Sequence, residues 1–231
     1  MHPLHQLNPT RCEFIRDALC DHFGSGTRGA RVDAHPLKGL KLLDVGCGGG
    51  LLSEALARMG AEVHGIDVND QLIEVARSHA NLDPLLAQRL TYEMVPLEKV
   101  AHDTPGKYDV VIASEVIEHV ESIDTFCKSL VNATKSSGGI VISTLARTLG
   151  AYLGGIVAAE RILGWVPTGT HSWEKFINPE ELVLVMKEAG MAVSEAVELD
   201  QIAGVSYNLS NGAWQLSRDL GINYISYFRK G

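Results

Sequence analysis

The stretch LKLLDVGCGGGLLSEALARMGAEVHGID (Leu40–Asp67) decides the fold. LKLLDV (Leu40–Val45) is a short apolar run of the kind found in strands buried on both faces. LLSEALARM (Leu51–Met59) has helical periodicity and meets Gly60, a natural C-terminal cap. EVHGID (Glu62–Asp67) is a second strand. Strand, glycine turn, helix and strand in this order form a parallel crossover unit, which feeds an open α/β sheet.

The alternation continues outward. The spacing predicts a helix over Asp70–Ala80, a strand over Arg89–Met94 and a strand over Tyr108–Ser114. It then predicts a helix over Ile123–Ala133, stopped by SSGG, and a strand over Ile140–Thr144. Leu145–Ile177 reads as a long insertion, followed by a helix at Pro179–Ala189 and strands at Met191–Leu199 and Asn223–Arg229. The last two strands predict an antiparallel pair at the sheet edge. Upstream, a helix is expected over Pro9–Phe23, with Asn8 as its N-cap and Pro9 at its first position. The whole of 1–231 is expected to be one domain carrying an insertion at about 145–177.

Composition narrows the function. The net charge is −8, and no basic stripe is present to neutralise phosphates, which argues against a nucleic-acid partner. Hydrophobic residues make up 45 %, enough for a sizeable core. Cys12, Cys20, Cys47 and Cys127 show neither a CxxC pair nor zinc-ligand spacing, and read as reduced thiols. No signal or transit peptide opens the chain, and the expectation is that any targeting sequence has been removed.

DVGCGGG (Asp44–Gly50) lies at the carboxyl end of the first strand, and Asp67 ends the next strand 21 residues after Gly46. Ligands of open α/β sheets bind at that edge. Glycines such as Gly46 and Gly48 let backbone approach the ligand, and Asp67 can accept from both ribose hydroxyls. The pattern alone suits NAD as well as S-adenosylmethionine. Asp44 separates them: a carboxylate repels a pyrophosphate but favours the ammonium and sulfonium of the methyl donor. No Lys or Arg stands in the loop to receive phosphate oxygens.

SEVIEHV (Ser114–Val120) follows the fourth strand directly. Glu115, Glu118 and His119 stand at i, i+3 and i+4 and would share one side of a helical segment. Two carboxylates and an imidazole suit magnesium, manganese or zinc. Glu118 and His119 also suit substrate contact without metal, and both readings stay open on the residues alone. An ion chelated by both oxygens of a catechol would lower the phenol pKa and orient the nucleophile.

PLHQLNPTR (Pro3–Arg11), LLDVGCGGGLLSEALARMGAEVHGID (Leu42–Asp67), ASEVIEHV (Ala113–Val120) and VPTGTHSWEKFINPEEL (Val166–Leu182) together resemble the ubiquinone-biosynthesis O-methyltransferase family, closest to its mitochondrial members. The resemblance implies the class I methyltransferase fold: a seven-stranded, mostly parallel sheet with an antiparallel terminal hairpin and helices on both faces. It implies that Arg11 holds the donor's carboxylate, that Asp44, Gly46, Gly48, Asp67 and Ser114 line the donor site, and that Glu115, Glu118 and His119 bind magnesium. Implied substrates are a dihydroxy-polyprenylbenzoate and a demethylated ubiquinol. The implied setting is peripheral, on the matrix side of the mitochondrial inner membrane or its bacterial counterpart, with other ubiquinone-biosynthesis proteins as partners. The family's aromatic-rich segment ahead of PLH is absent, and weak donor binding is expected from that departure.

Thr148–Ala159 has twelve residues without charge, short of the about 20 needed to span a bilayer. It reads as a lid, or as an interfacial segment that admits a lipid-soluble substrate. His171 and Trp173 are expected to face the substrate, with no role assigned. Two alternatives remain: a metal-free methyltransferase of another small molecule, and a non-catalytic scaffold of a membrane-bound biosynthetic complex.

Overall fold

The computed structural model describes residues 3–24, 33–148, 175–208, 210 and 212–231. The expectations for Thr148–Ala159, His171 and Trp173 fall almost wholly on 149–174, outside the described residues. Element order is α1 (Pro3–Phe23), β1 (Lys41–Val45), α2 (Leu51–Arg58), β2 (Glu62–Asp67), α3 (Asp70–Ala80), α4 (Pro84–Ala87), β3 (Leu90–Met94) and α5 (Leu97–Asp103). Then come β4 (Tyr108–Ser114), a 3-10 turn at Ile117–His119, α6 (Ile123–Ala133), β5 (Thr134–Leu145), α7 (Pro179–Ala192), β6 (Val197–Asn208), β7 (Ala213–Ser217) and β8 (Asn223–Lys230).

The described strands form one eight-stranded sheet in the order β3-β2-β1-β4-β5-β8-β6-β7. Neighbours from β3 to β5 run parallel, while β8 pairs antiparallel with both β5 and β6, and β7 antiparallel with β6. β8 is thus an interior strand, and β7 forms the edge as an eighth strand beyond the seven expected.

Both faces of the sheet are covered, which is why β1 and β4 read as continuous apolar runs. Leu42, Val110 and Val141 face a core built with Ile15, Leu56 and Ile73 from α1, α2 and α3. Leu43, Val111, Ile140 and Ile142 face a second core with Val100, Leu130 and Met186 from α5, α6 and α7. α2 ends as its sequence promises. Gly60 sits at φ 101°, its N–H donates to Ala57 O at 2.9 Å, and Ala61 N–H donates to Leu56 O at 3.3 Å, a Schellman closure.

Several boundaries differ from the expectation. α1 begins at Pro3 and carries Pro9 inside it, so Asn8 is not an N-cap. Its Nδ2 donates instead to Leu51 O at 3.2 Å, and Thr10 Oγ1 donates to Trp214 O at 3.1 Å. These tertiary bonds accompany a helix that continues past the proline. β5 starts at Thr134, immediately after α6, and SSGG lies inside it. Its ladder with β4 slips between Tyr108↔Thr134 and Val110↔Gly139, and this bulge absorbs the extra residues. α7 runs to Ala192, and a turn with Ser194 at φ 60° delays β6 to Val197.

Candidate active site

The glycine loop is held in shape by Asp67. Gly48 N–H donates to its Oδ2 at 2.9 Å, and Asn69 N–H to its Oδ1 at 2.8 Å. Gly46 (φ 67°) and Gly48 (φ 54°) both occupy the left-handed region. At Gly46 a Cβ would also meet Val116 Cγ2 at 2.6 Å, so the loop and the segment after β4 fit together only with glycine there. Each carboxylate oxygen has two lone pairs, so Asp67 keeps acceptor capacity toward a ligand.

Beside Asp67 opens a cavity of about 740 Å³ lined in part by Gly46, Val68, Val95, Leu97, His119 and Phe126. Its lining contains Asp67, Glu98 and Glu121 but neither Lys nor Arg. Largely apolar walls with acidic side chains and no cation suit a nucleoside. A pyrophosphate would find no cationic partner there.

Asp44 does not stand at the lip of this cavity, contrary to the expectation. It is 2 % exposed and accepts from Ser53 Oγ at 2.5 Å. Burial raises its pKa to about 6, against the lowering effects of the Ser53 bond and the Arg11 charge. The strand end carries Asp44 under the loop because its side chain points into the α2 face of the sheet. Its charge acts from below.

A pH effect follows. The folded pKa lies above the ordinary aspartate value, so Asp44 contributes most below about pH 4, and that contribution is lost as pH rises through about 6. Above that, the ionised form costs about 3 kcal/mol relative to the unfolded chain. Asp44→Asn is expected to remove this slope. Melting temperatures of both proteins at pH 4.5 and 7.5 check it: the variant should gain on the wild type as pH rises, and parallel curves would count against the effect.

The segment after β4 does not turn as an α-helix, so Glu115, Glu118 and His119 do not share one side. Glu115 has φ 57°, and only Ile117–His119 form a single 3-10 turn. Glu115 faces α1: Arg11 Nη2 lies 3.3 Å from its Oε1, and Ser143 Oγ donates to the same oxygen at 2.9 Å. The Ser114 hydroxyl lies 2.9 Å from that of Ser143. Glu118 turns into the opposite core, where Thr144 Oγ1 donates to its Oε2 at 2.9 Å. Consecutive strand residues point to opposite faces, so Ser143 and Thr144 hold the two carboxylates apart. Burial first, and then the Glu115 charge, push the Glu118 pKa well above the usual carboxylate range. His119 is exposed and lines the cavity.

Among the described residues, no three His, Cys, Asp or Glu side chains are gathered as a metal-binding group. Carboxylates and an imidazole are donors for a divalent cation, but the described geometry keeps Glu115, Glu118 and His119 apart; Glu118 Oε1 is buried without a hydrogen-bond partner. Arg11 pairs with Glu115 across the site and is a near charge to both Asp44 and Glu118. Ser53, Asn69, Ser143 and Thr144 were not singled out by the sequence. IVIST identifies a strand, and only its register against β4 places two hydroxyls beside the two glutamates.

The general model of a methyltransferase domain matches residues 18–196. The mitochondrial ubiquinone biosynthesis O-methyltransferase of Arabidopsis thaliana is 47 % identical over 99 % of this chain and 67 % of its own length. That of Bos taurus is 41 % identical over 99 % of the chain and 59 % of its own length, so the chain spans roughly three fifths to two thirds of these relatives. The Azorhizobium caulinodans ubiquinone biosynthesis O-methyltransferase is 43 % identical over 97 % of the chain and 83 % of its length. Among solved structures, magnesium protoporphyrin IX methyltransferase from Synechocystis with bound S-adenosylhomocysteine aligns with a TM-score of 0.65 at 19 % identity, covering 97 % of this chain and 84 % of that one. That likeness concerns the fold: the class I methyltransferase sheet, parallel at its centre and antiparallel at its C-terminal end. With identity of this degree over nearly the whole chain, the chain belongs to the S-adenosylmethionine-dependent ubiquinone biosynthesis O-methyltransferase family.

Proposed function

We propose that this protein transfers the methyl group of S-adenosylmethionine to a catechol-type hydroxyl of 3,4-dihydroxy-5-polyprenylbenzoate and of demethylubiquinol. The observation that carries the reading is the cavity beside Asp67, apolar-walled and without Lys or Arg, at the carboxyl edge of the sheet. Asp67 takes the ribose hydroxyls, the amides and glycines of 46–48 cover the donor, and Arg11 receives its carboxylate. Asp44, beneath the loop, supplies the field that favours an ammonium and a sulfonium. Ser114 lines the same site through its place at the end of β4.

Methyl transfer is an in-line displacement. The oxygen bonds to the methyl carbon as the carbon–sulfur bond breaks, and the phenolic proton must leave. Glu118 is suited to take that proton at Oε1, because its other oxygen is engaged by Thr144 and its carboxyl is raised toward the working pH. Arg11 and Ser143 hold Glu115 on the other side of the sheet.

Magnesium, with manganese or zinc as substitutes, belongs to the proposal on donor chemistry alone; Glu115, Glu118 and His119 would hold it after the segment beyond β4 moves to bring them together, since Ser143 and Thr144 keep the two carboxylates apart. When bound, the ion supplies acidification of the phenol and a chelate for both catechol oxygens. A single domain with its insertion at about 145–177 is proposed, the insertion serving as the lid and peripheral membrane contact. No helix among the described residues is long and apolar enough to cross a membrane. The setting is the matrix side of the mitochondrial inner membrane or the bacterial equivalent, alongside other proteins of the same biosynthesis.

The test is a methylation assay with labelled S-adenosylmethionine and a prenylated 3,4-dihydroxybenzoate. Product carrying one O-methyl group is expected. Exhaustive chelation should then lower turnover about tenfold or more, with rescue by magnesium. Full activity after chelation would remove the ion from the proposal, and absence of any methylated product would overturn the activity.

A further inference from the structure

Among the described residues, three buried side-chain atoms have no hydrogen-bond partner: Glu118 Oε1, Asn223 Oδ1 and Arg229 Nε. Arg229 is engaged through Nη2, 3.0 Å from Asp200. Glu118 belongs to the site already described. Asn223 is the remaining one, 9 % exposed at the first position of β8. A buried amide oxygen without a donor is costly in the free protein, and it asks for an occupant.

Its place says what that occupant is. Asn223 stands opposite Leu145 in the β5–β8 ladder, and Ile225 stands opposite Ser143. Residues two apart on a strand share a face, so Asn223 and Ser143 lie on one side of the sheet as diagonal neighbours about 7–8 Å apart. That is the side on which Ser143 and Arg11 hold Glu115. The donor cavity is lined from the ends of β1, β2 and β3 and from the segment after β4. With strands about 4.8 Å apart, β8 lies about 10 Å beyond β4 and about 14 Å beyond β1. The cavity beside Asp67 does not reach Asn223, and a second reactant seated beyond it, against β5 and β8, would bring a hydrogen to this oxygen. Val205, Trp214 and Leu216 pack against the core on the same face.

The geometry points to Asn223 as a substrate-contact and specificity-determining residue, whose amide oxygen accepts a hydrogen bond from the catechol hydroxyl that is not being methylated. The assignment rests on the proposed catechol methylation. It gives the chain a means of choosing between two adjacent hydroxyls of similar reactivity. One is placed for attack on the methyl group, and the other is turned toward β8. No atom is transferred to or from Asn223.

The experiment compares wild type with Asn223→Leu and Asn223→Thr, using 3,4-dihydroxybenzoate bearing a single prenyl group at position 5. Readouts are KM, kcat, the ratio of the two O-methyl isomers, melting temperature, and calorimetric binding of S-adenosylhomocysteine. Asn223→Leu removes an unsatisfied buried polar group, so its melting temperature should equal or exceed that of wild type. Its KM is expected to rise about tenfold, the value of one lost hydrogen bond, and the second isomer should appear. S-adenosylhomocysteine binding should stay unchanged. Asn223→Thr keeps an acceptor on a strand-favouring residue, and should retain most of the isomer preference. If wild type methylates but Asn223→Leu keeps the same KM and isomer ratio, the assignment is wrong while the activity stands. If wild type gives no methylated product, the activity and this assignment fall together.

Discussion

Asp67→Ala is expected to weaken S-adenosylhomocysteine binding by about 10²–10³-fold while leaving the fold intact. Two contributions add. In the proposed donor site the carboxylate accepts two ribose hydroxyls, and hydrogen bonds to a charged group are worth about 1.5–3 kcal/mol each. The same carboxylate holds the Gly48 and Asn69 amides at 2.9 and 2.8 Å, so its loss also releases the loop that covers the ligand. About 3–4 kcal/mol in all corresponds to the stated factor. Asp67 is only half-buried, so the melting temperature should fall little. Asp67→Asn should be intermediate: it retains one acceptor oxygen, but its amide NH2 opposes one of the two backbone N–H groups. Calorimetric titration decides the matter. A dissociation constant for Asp67→Ala within threefold of wild type would separate this residue from the donor and move the cavity's function elsewhere.

Gly50→Ala is expected to cost about 2–4 kcal/mol of stability. Gly50 has φ 85°, a region that a side chain occupies at a cost of about 1 kcal/mol. Its Cβ would lie 2.4 Å from Tyr92 Oη and 3.1 Å from the Ala76 Cβ. Tyr92 cannot retreat, because its ring lies against Gly65, where the nearest ring carbon is 2.6 Å from the position of a Cβ. The ring is wedged between two glycines, and is itself buried at 8 % exposure. Overpacking at such a site adds about 1–3 kcal/mol to the backbone strain. For a chain of this size the melting temperature should drop by about 4–16 °C. Gly48→Ala is the control. It shares a positive φ of 54° but has nothing within 4 Å of its Cβ position, so only the backbone cost should appear. Equal losses in the two variants would show that strain alone, without the Tyr92 wedge, sets the effect.

The same wedge shows what a sequence leaves hidden. Gly50 and Gly65 look unlike each other in the chain: one sits in a conspicuous glycine loop, the other in the middle of EVHGID. That both exist to admit one tyrosine ring becomes visible only when β3 lies beside β2, with Tyr92 opposite Gly65. Gly204 is similar. Its Cβ would fall 1.7 Å from Asp219 O, a close backbone approach inside a strand that local patterning did not identify.

Local signals carried the elements whose partners are fixed by burial on both faces. β2, α3, β4 and α6 have the same boundaries in the sequence reading and in the structure, because apolar runs and capping residues such as Asn69 and Ser122 act within a few residues. α1, β5 and β6 were misjudged for the opposite reason. Pro9, SSGG and Met191 carry turn or strand signals that long-range pairing overrides. α4, α5 and β7 went unread, being short pieces whose few apolar residues show no clear period.

The candidate site divides in the same way. The glycine loop and Asp67 were legible, since a strand end, a turn and an acid at fixed spacing determine who meets whom. Spacing also named Glu115, Glu118 and His119, but it assumed a helical turn for them. The left-handed Glu115 and the alternation of Ser143 and Thr144 on β5 split the two carboxylates between the faces of the sheet. Asp44 is legible as a charge at the strand end, whereas packing buries it under the loop. By itself the order of residues determined the parallel core and the cavity edge, because period-two burial and glycine turns are short-range physics. Which side each carboxylate faces, and that Asn223 comes to stand near them from the far end of the chain, only the tertiary structure decided. Strand register is a property of two distant segments together, and neither segment alone contains it.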